Sequence, residues 1–123
     1  MKQALFLLAF STLLAHELDA VAQAEWRVLP LTRFLPEAWG YQVFVLAHIP
    51  LLAGLLWLLM GASSTLRLRT QQVLSAFMVV HGGLHAAFSG DPHYHFDSAL
   101  SQGLIAGAGL SGAAYLLASR GRA

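Results

Sequence analysis

The 123-residue chain carries six histidines, as many as all its aspartates and glutamates together, and no cysteine. Imidazole nitrogen and carboxylate oxygen are ligands for zinc and iron, so a metal site can be built here without sulfur. The lack of cysteine excludes disulfides, thiolate-bound zinc and iron–sulfur clusters. His16 and Asp19 are three apart and share one helical face, with Glu17 rotated from them by about 100°. His81 and His85 are four apart, a spacing at which two imidazoles can hold one ion from a single helix. Gly82 and Gly83 between them leave room for close backbone approach. His48 stands alone, two residues before Pro50. It either supplies a third nitrogen or bonds the carbonyl that the proline leaves free. The candidate metal ligands are therefore His16, Asp19, His48, His81 and His85. Glu17 and Asp19 are the candidate catalytic bases or orienting partners. The competing reading is a set of satisfied polar side chains that tie helices together without a metal.

These residues must be positioned by apolar elements. Hydrophobic residues make up 57% of the chain and charged residues only 11%, against about 25% in a soluble domain. That is too little charge to cover a soluble globule and too much apolarity for a disordered chain. The net charge of +1 gives no reason to expect a nucleic-acid partner. Four stretches reach the ~20 residues needed to cross a bilayer: about 3–22, 41–61, 71–89 and 97–119. The expected fold is all-α: residues 1–123 form a single integral membrane four-helix bundle. A short interfacial segment, Glu25 to Trp39, lies between the first two spans and contains Pro30 and Pro36. Glu25, Trp26 and Arg27 are expected to anchor it at the membrane surface. The rival expectation is that Glu25 folds back over the histidines.

A charge in the bilayer interior costs at least ~2.5 kcal/mol, so ionisable residues inside spans are candidates for function. With alternating helix directions, His16, Asp19, His48, His81 and His85 all fall in the same half of the membrane. Lys2, Arg67, Arg69, Arg120 and Arg122 flank one side, and only Arg27 and Arg33 the other. This asymmetry predicts a bacterial inner-membrane protein with both termini cytoplasmic and the polar layer in the outer half. His93 and His95 alternate around Tyr94, which predicts exposed loop residues, with a lid or second metal site as the alternative. Gly103, Gly107 and Ser111 recur every four residues and make a face for close helix packing, inside the bundle or in a homo-oligomer. Lys2, an apolar run and Ala22-Gln23-Ala24 also resemble a secretory signal, but His16, Glu17 and Asp19 interrupt it.

The order of these motifs resembles the H-x-x-E-E family of small metal-binding bacterial membrane proteins. The resemblance runs through His16-Glu17-Leu18-Asp19-Ala20, then His48, then His81 and His85, about two thirds of the chain. Asp19 stands where that family has its first Glu, Ala20 replaces the second, and no Asn precedes His48 at the family's position. The run His16 to Arg27 is more similar to a related group with a His-Glu-Leu-Asp-Ala motif. The resemblance implies four spans and a bound metal, without a reaction.

Three functions compete. The first is a metal-dependent hydrolase acting on a lipid or amphiphile in the bilayer, with a divalent ion, zinc before iron, activating water. Its ligand set resembles that of membrane ceramidases, although their seven spans are absent. The second is a di-iron oxygenase or desaturase, which usually carries more histidines and faces the cytoplasm. The third is no enzyme: a metal carrier, a sensor or a structural subunit.

Overall fold

In the computed structural model, residues 1–61 and 63–120 are described; Arg122, counted above for topology, lies outside them. Four helices run along the chain: α1 (Lys2–Ala22), α2 (Gly40–Met60), α3 (Ser64–Phe88) and α4 (Ala99–Ser119). A single 3-10 turn, Glu25–Arg27, follows α1, and the described residues contain no strand. The architecture is an all-α four-helix bundle. α1, α2 and α4 are each long and apolar enough to cross a membrane. α3 is longer but begins with Arg67, Arg69, Gln71 and Gln72, which lower its apolar content without opposing helix formation.

Local chemistry sets the boundaries. Ser63 and Ser98 cap α3 and α4, their hydroxyls accepting from Leu66 N–H at 3.3 Å and Ser101 N–H at 3.0 Å. α1 ends where Ala24 turns into the left-handed region with φ 55°. That conformation is uncommon for a residue with a side chain, and here it reverses the chain within three residues.

α4 is the centre of the packing and lies against both α1 and α3. Lipid tails are as apolar as leucine, so close approach rather than exclusion of water must hold such helices together. Gly112 supplies it: a Cβ there would lie 2.9 Å from the Ser75 carbonyl oxygen of α3. Gly107 faces Thr12 of α1, while Gly103 has nothing within 4 Å. At the Lys2 end of the bundle, the Tyr115 hydroxyl of α4 donates to Gln71 of α3 at 2.8 Å. At the opposite end Ala20, Val28, Phe44, Tyr94, Phe96 and Ile105 form one apolar cluster. It draws the turn after α1 and the loop before α4 onto the helix ends.

α2 stands apart. It leans on α3 and the 3-10 turn, and only Gly40 and Phe44 are buried along it. Trp26 holds its first turn, with its ring 5.7 Å from Tyr41 and 5.8 Å from Phe44. Arg27 pairs with Glu37 and closes the interfacial segment on itself. Beyond that first turn the side chains of α2 are not buried, and a long slot lies between α2, α1 and α3.

Candidate metal centre

Three helical positions and one turn meet in the half of the bundle where α1 ends. His16 of α1 and His81 and His85 of α3 turn their Nε2 atoms to one point, joined by Glu25 of the 3-10 turn. One donor atom from each of these four residues lies within 4.8 Å of all the others. His16 Nε2 is 3.0 Å from His81 Nε2, which is 3.2 Å from His85 Nε2. Glu25 Oε1 lies 2.8 Å from His85, 3.2 Å from His81 and 3.6 Å from His16. A tetrahedral zinc with bonds of ~2.0–2.1 Å spaces its ligand atoms about 3.3 Å apart. These five separations bracket that value, and the sixth, between His16 and His85, lies within 4.8 Å. All four residues are buried, His16 at 0% and Glu25 at 1% exposure. A carboxylate in such a place needs compensating positive charge or hydrogen bonds.

Protons alone can pair these atoms, since an Nε2–H can donate to Glu25 or to a neighbouring imidazole. A cation at their centre would also satisfy all four. Coordination through Nε2 leaves each Nδ1 protonated and in need of an acceptor. His85 Nδ1 has one, the Tyr94 hydroxyl at 3.3 Å, whereas buried His16 Nδ1 has no hydrogen-bond partner. Burial raises the Glu25 pKa, but hydrogen bonds from His16, His81 and His85 outweigh it and hold the carboxyl well below the usual range. Burial also pushes the Tyr94 phenol up. Aromatic rings wall the group: Phe96 lies 4.6 Å from His85, and Phe77 stacks on His81 at 5.2 Å. The donor set, the spacing and the dry surroundings fit a small divalent ion.

The other candidate residues lie elsewhere. His48 is not in the four-residue group. Its Nδ1 donates to the Phe44 carbonyl at 2.7 Å, the acceptor one turn back on its own helix, not the carbonyl that Pro50 frees. Its Nε2 lies 3.0 Å from Glu17 Oε2. Asp19 accepts from Gln23 at 3.2 Å, and its other oxygen is buried without a partner. His93 bonds Asp91 at the surface, and His95 is exposed. Glu25 was the residue expected at the membrane surface, with folding back as the rival arrangement. Its side chain folds back.

The slot beside α2 is a cavity of about 760 Å³. Its wall is almost entirely apolar, with Leu14, Val43, Leu55 and Phe77 typical of it. Glu17, His48, Glu25 and His81 interrupt that wall at one level, and Arg69 and Thr70 line its far end. The cavity therefore touches both the four-residue group and the Glu17–His48 pair. Asp19 does not line it.

Residues 2–122 match the model of a family of unknown function (DUF6713), and the chain belongs to that family. No curated protein and no solved structure matches the chain.

Proposed function

Starting from membership of that family, we propose that the protein is a zinc-dependent membrane hydrolase whose substrate is a lipid or other amphiphile. The observation that carries this reading is the buried group His16, Glu25, His81 and His85, its donor atoms all within 4.8 Å of one another, on the wall of a long apolar cavity. A bound zinc ion there supplies Lewis acidity towards a carbonyl and activation of water. Nitrogen and oxygen donors with tetrahedral spacing favour zinc over iron. His81 and Glu25 border the cavity and give a substrate its approach to the ion. His16 and His85 would complete its ligands. Of the two candidate bases, Glu17 lines the cavity and Asp19 faces Gln23. The order of motifs resembling the H-x-x-E-E family supports the same metal-binding reading. The protein would sit in a bacterial inner membrane with both termini cytoplasmic and the site in the outer half.

One observation favours a second reading, a protein that holds metal without catalysis. Four protein donors fill a tetrahedral shell, as in closed structural sites, whereas catalytic zinc usually keeps one position open. A di-iron centre has less support. His48 and Glu17 form a separate pair, and His93 and His95 are exposed. The test is elemental analysis of protein purified without a histidine tag, paired with release of product from ester and amide amphiphiles. One zinc per chain with metal-dependent release supports the hydrolase. One metal without turnover supports the holder. No stoichiometric metal overturns both.

A further inference from the structure

The Glu17–His48 pair is unusual in its setting. Both side chains are about a fifth exposed, at 23% and 22%, and both border the apolar cavity. The Phe44 carbonyl can only accept, so His48 Nδ1 must carry a proton. Its Nε2 faces the Glu17 carboxylate at 3.0 Å and holds Oε2 in place. Glu17 Oε2 is engaged, while Oε1 makes no hydrogen bond among the described residues. That oxygen is open to accept a hydrogen bond from a molecule lying in the cavity.

The slot runs on past the pair. From His48 to Leu58, both of which line it, α2 advances about 15 Å, roughly the depth of one leaflet. Few α2 side chains are buried, so this flank is open to the bilayer. A molecule fitting both features has one apolar chain and one uncharged polar group with a hydrogen to donate. A cationic group would meet a carboxylate already paired with His48, and an anionic one would be repelled by it.

We infer that Glu17 and His48 form a binding site for the hydroxyl or amide N–H of a single-chain amphiphile, whose chain lies in the slot between α2 and α3. Glu17 Oε1 accepts the hydrogen bond and His48 fixes the orientation of the carboxylate. Glu25 and His81 border the same cavity, so a bond next to that polar group is presented to the metal centre. This deepens the hydrolase reading and rests on it for the fate of the ligand, but binding can be measured without turnover.

The experiment uses purified full-length protein in detergent and three probes with the same fluorophore at the chain end: a long-chain alcohol, its carboxylate and its alkane. The alcohol should bind at least about tenfold more tightly than the other two, the worth of one hydrogen bond to a charged acceptor. Glu17→Leu should abolish that preference while metal content stays at the wild-type level. Leu58→Trp, which fills the slot, should weaken all three probes. Equal binding of alcohol and alkane, or an alcohol preference that survives Glu17→Leu, overturns the inference. So does binding of a phospholipid that depends on Arg69 rather than Glu17. A variant that loses its metal is replaced by Glu17→Gln, which keeps the side-chain shape and should still lose most of the preference. Selective alcohol binding without hydrolysis would retain this site and refute the hydrolase alone.

Discussion

The Glu25 carboxylate lies 2.8 Å from the His85 imidazole, although 60 positions separate them in the chain. The left-handed turn at Ala24 makes that contact by folding the segment after α1 back over the helix ends. If the proposed metal sits among the three imidazoles, Glu25 is one of its ligands, and Glu25→Gln should cost metal. Loss of residues behind the ligands typically costs 10–100-fold in affinity, and loss of a ligand should cost more. Asp19→Asn should leave metal content unchanged, because Asp19 is engaged with Gln23. The check is bound metal per chain in the two variants after the same detergent purification and chelator wash. Metal retained in Glu25→Gln and lost in Asp19→Asn would reverse the assignment.

Tyr94 should matter to the metal without touching it. Its hydroxyl is the acceptor within reach of His85 Nδ1–H, and that bond fixes which nitrogen faces the site. Tyr94→Phe keeps the ring that packs on Phe96 and removes the acceptor. Metal affinity should fall about 10–100-fold with helix content unchanged. Competition against a chelator of known affinity measures it. Unchanged affinity would make Tyr94 a packing residue only.

Acid should strip the metal before it unfolds the bundle. Ligation needs neutral imidazoles and an ionised carboxylate, and imidazoles take up protons at a higher pH than carboxylates do. Glu25 is held below the usual carboxylate range in the folded state. Its contribution to stability is therefore complete above its unfolded pKa, ~4.3, and is lost as the pH falls towards the lower folded value. Bound metal and circular dichroism followed over one acid titration should give two separate transitions, metal first. A single shared transition would mean that the ion is needed for the fold.

Much of the bundle can be read from the sequence because hydropathy reports long apolar helices directly. The expected spans 41–61 and 97–119 lie within two residues of α2 and α4 at each end. α3 starts seven residues before its expected span at 71, since Arg67 and Arg69 are good helix formers that hydropathy does not register. For the site, the i, i+4 spacing of His81 and His85 carries real information, because helix geometry puts both on one face. His48 illustrates the limit. Its depth matches that of the other histidines, but depth does not fix rotation about the helix axis, and α2 turns it to Glu17. Glu25 depends on a tight turn made at an alanine, and alanine carries no signal for a left-handed backbone. The usable hint was a carboxylate placed just beyond a span that ends in His and Asp.

The glycines of α4 give the last prediction, because two that look alike in sequence have different surroundings. Gly112 lies against the backbone of α3, and an added Cβ would be 2.9 Å from the Ser75 carbonyl oxygen. Backbone cannot move aside as a flexible side chain can. Gly112→Ala should therefore push α3 and α4 apart and destabilise the bundle by about 1–3 kcal/mol. It should also loosen the metal, since His81 and His85 ride on α3. Gly103→Ala meets nothing within 4 Å and should be neutral or slightly stabilising through helix propensity, by up to about 1 kcal/mol. Thermal unfolding in detergent compares the two. If Gly103→Ala instead lowers stability in a way that depends on protein concentration, Gly103 lies in a contact between protomers, the homo-oligomer face expected from its spacing with Gly107 and Ser111. If Gly112→Ala is neutral, the α3–α4 approach is looser than the structure has it.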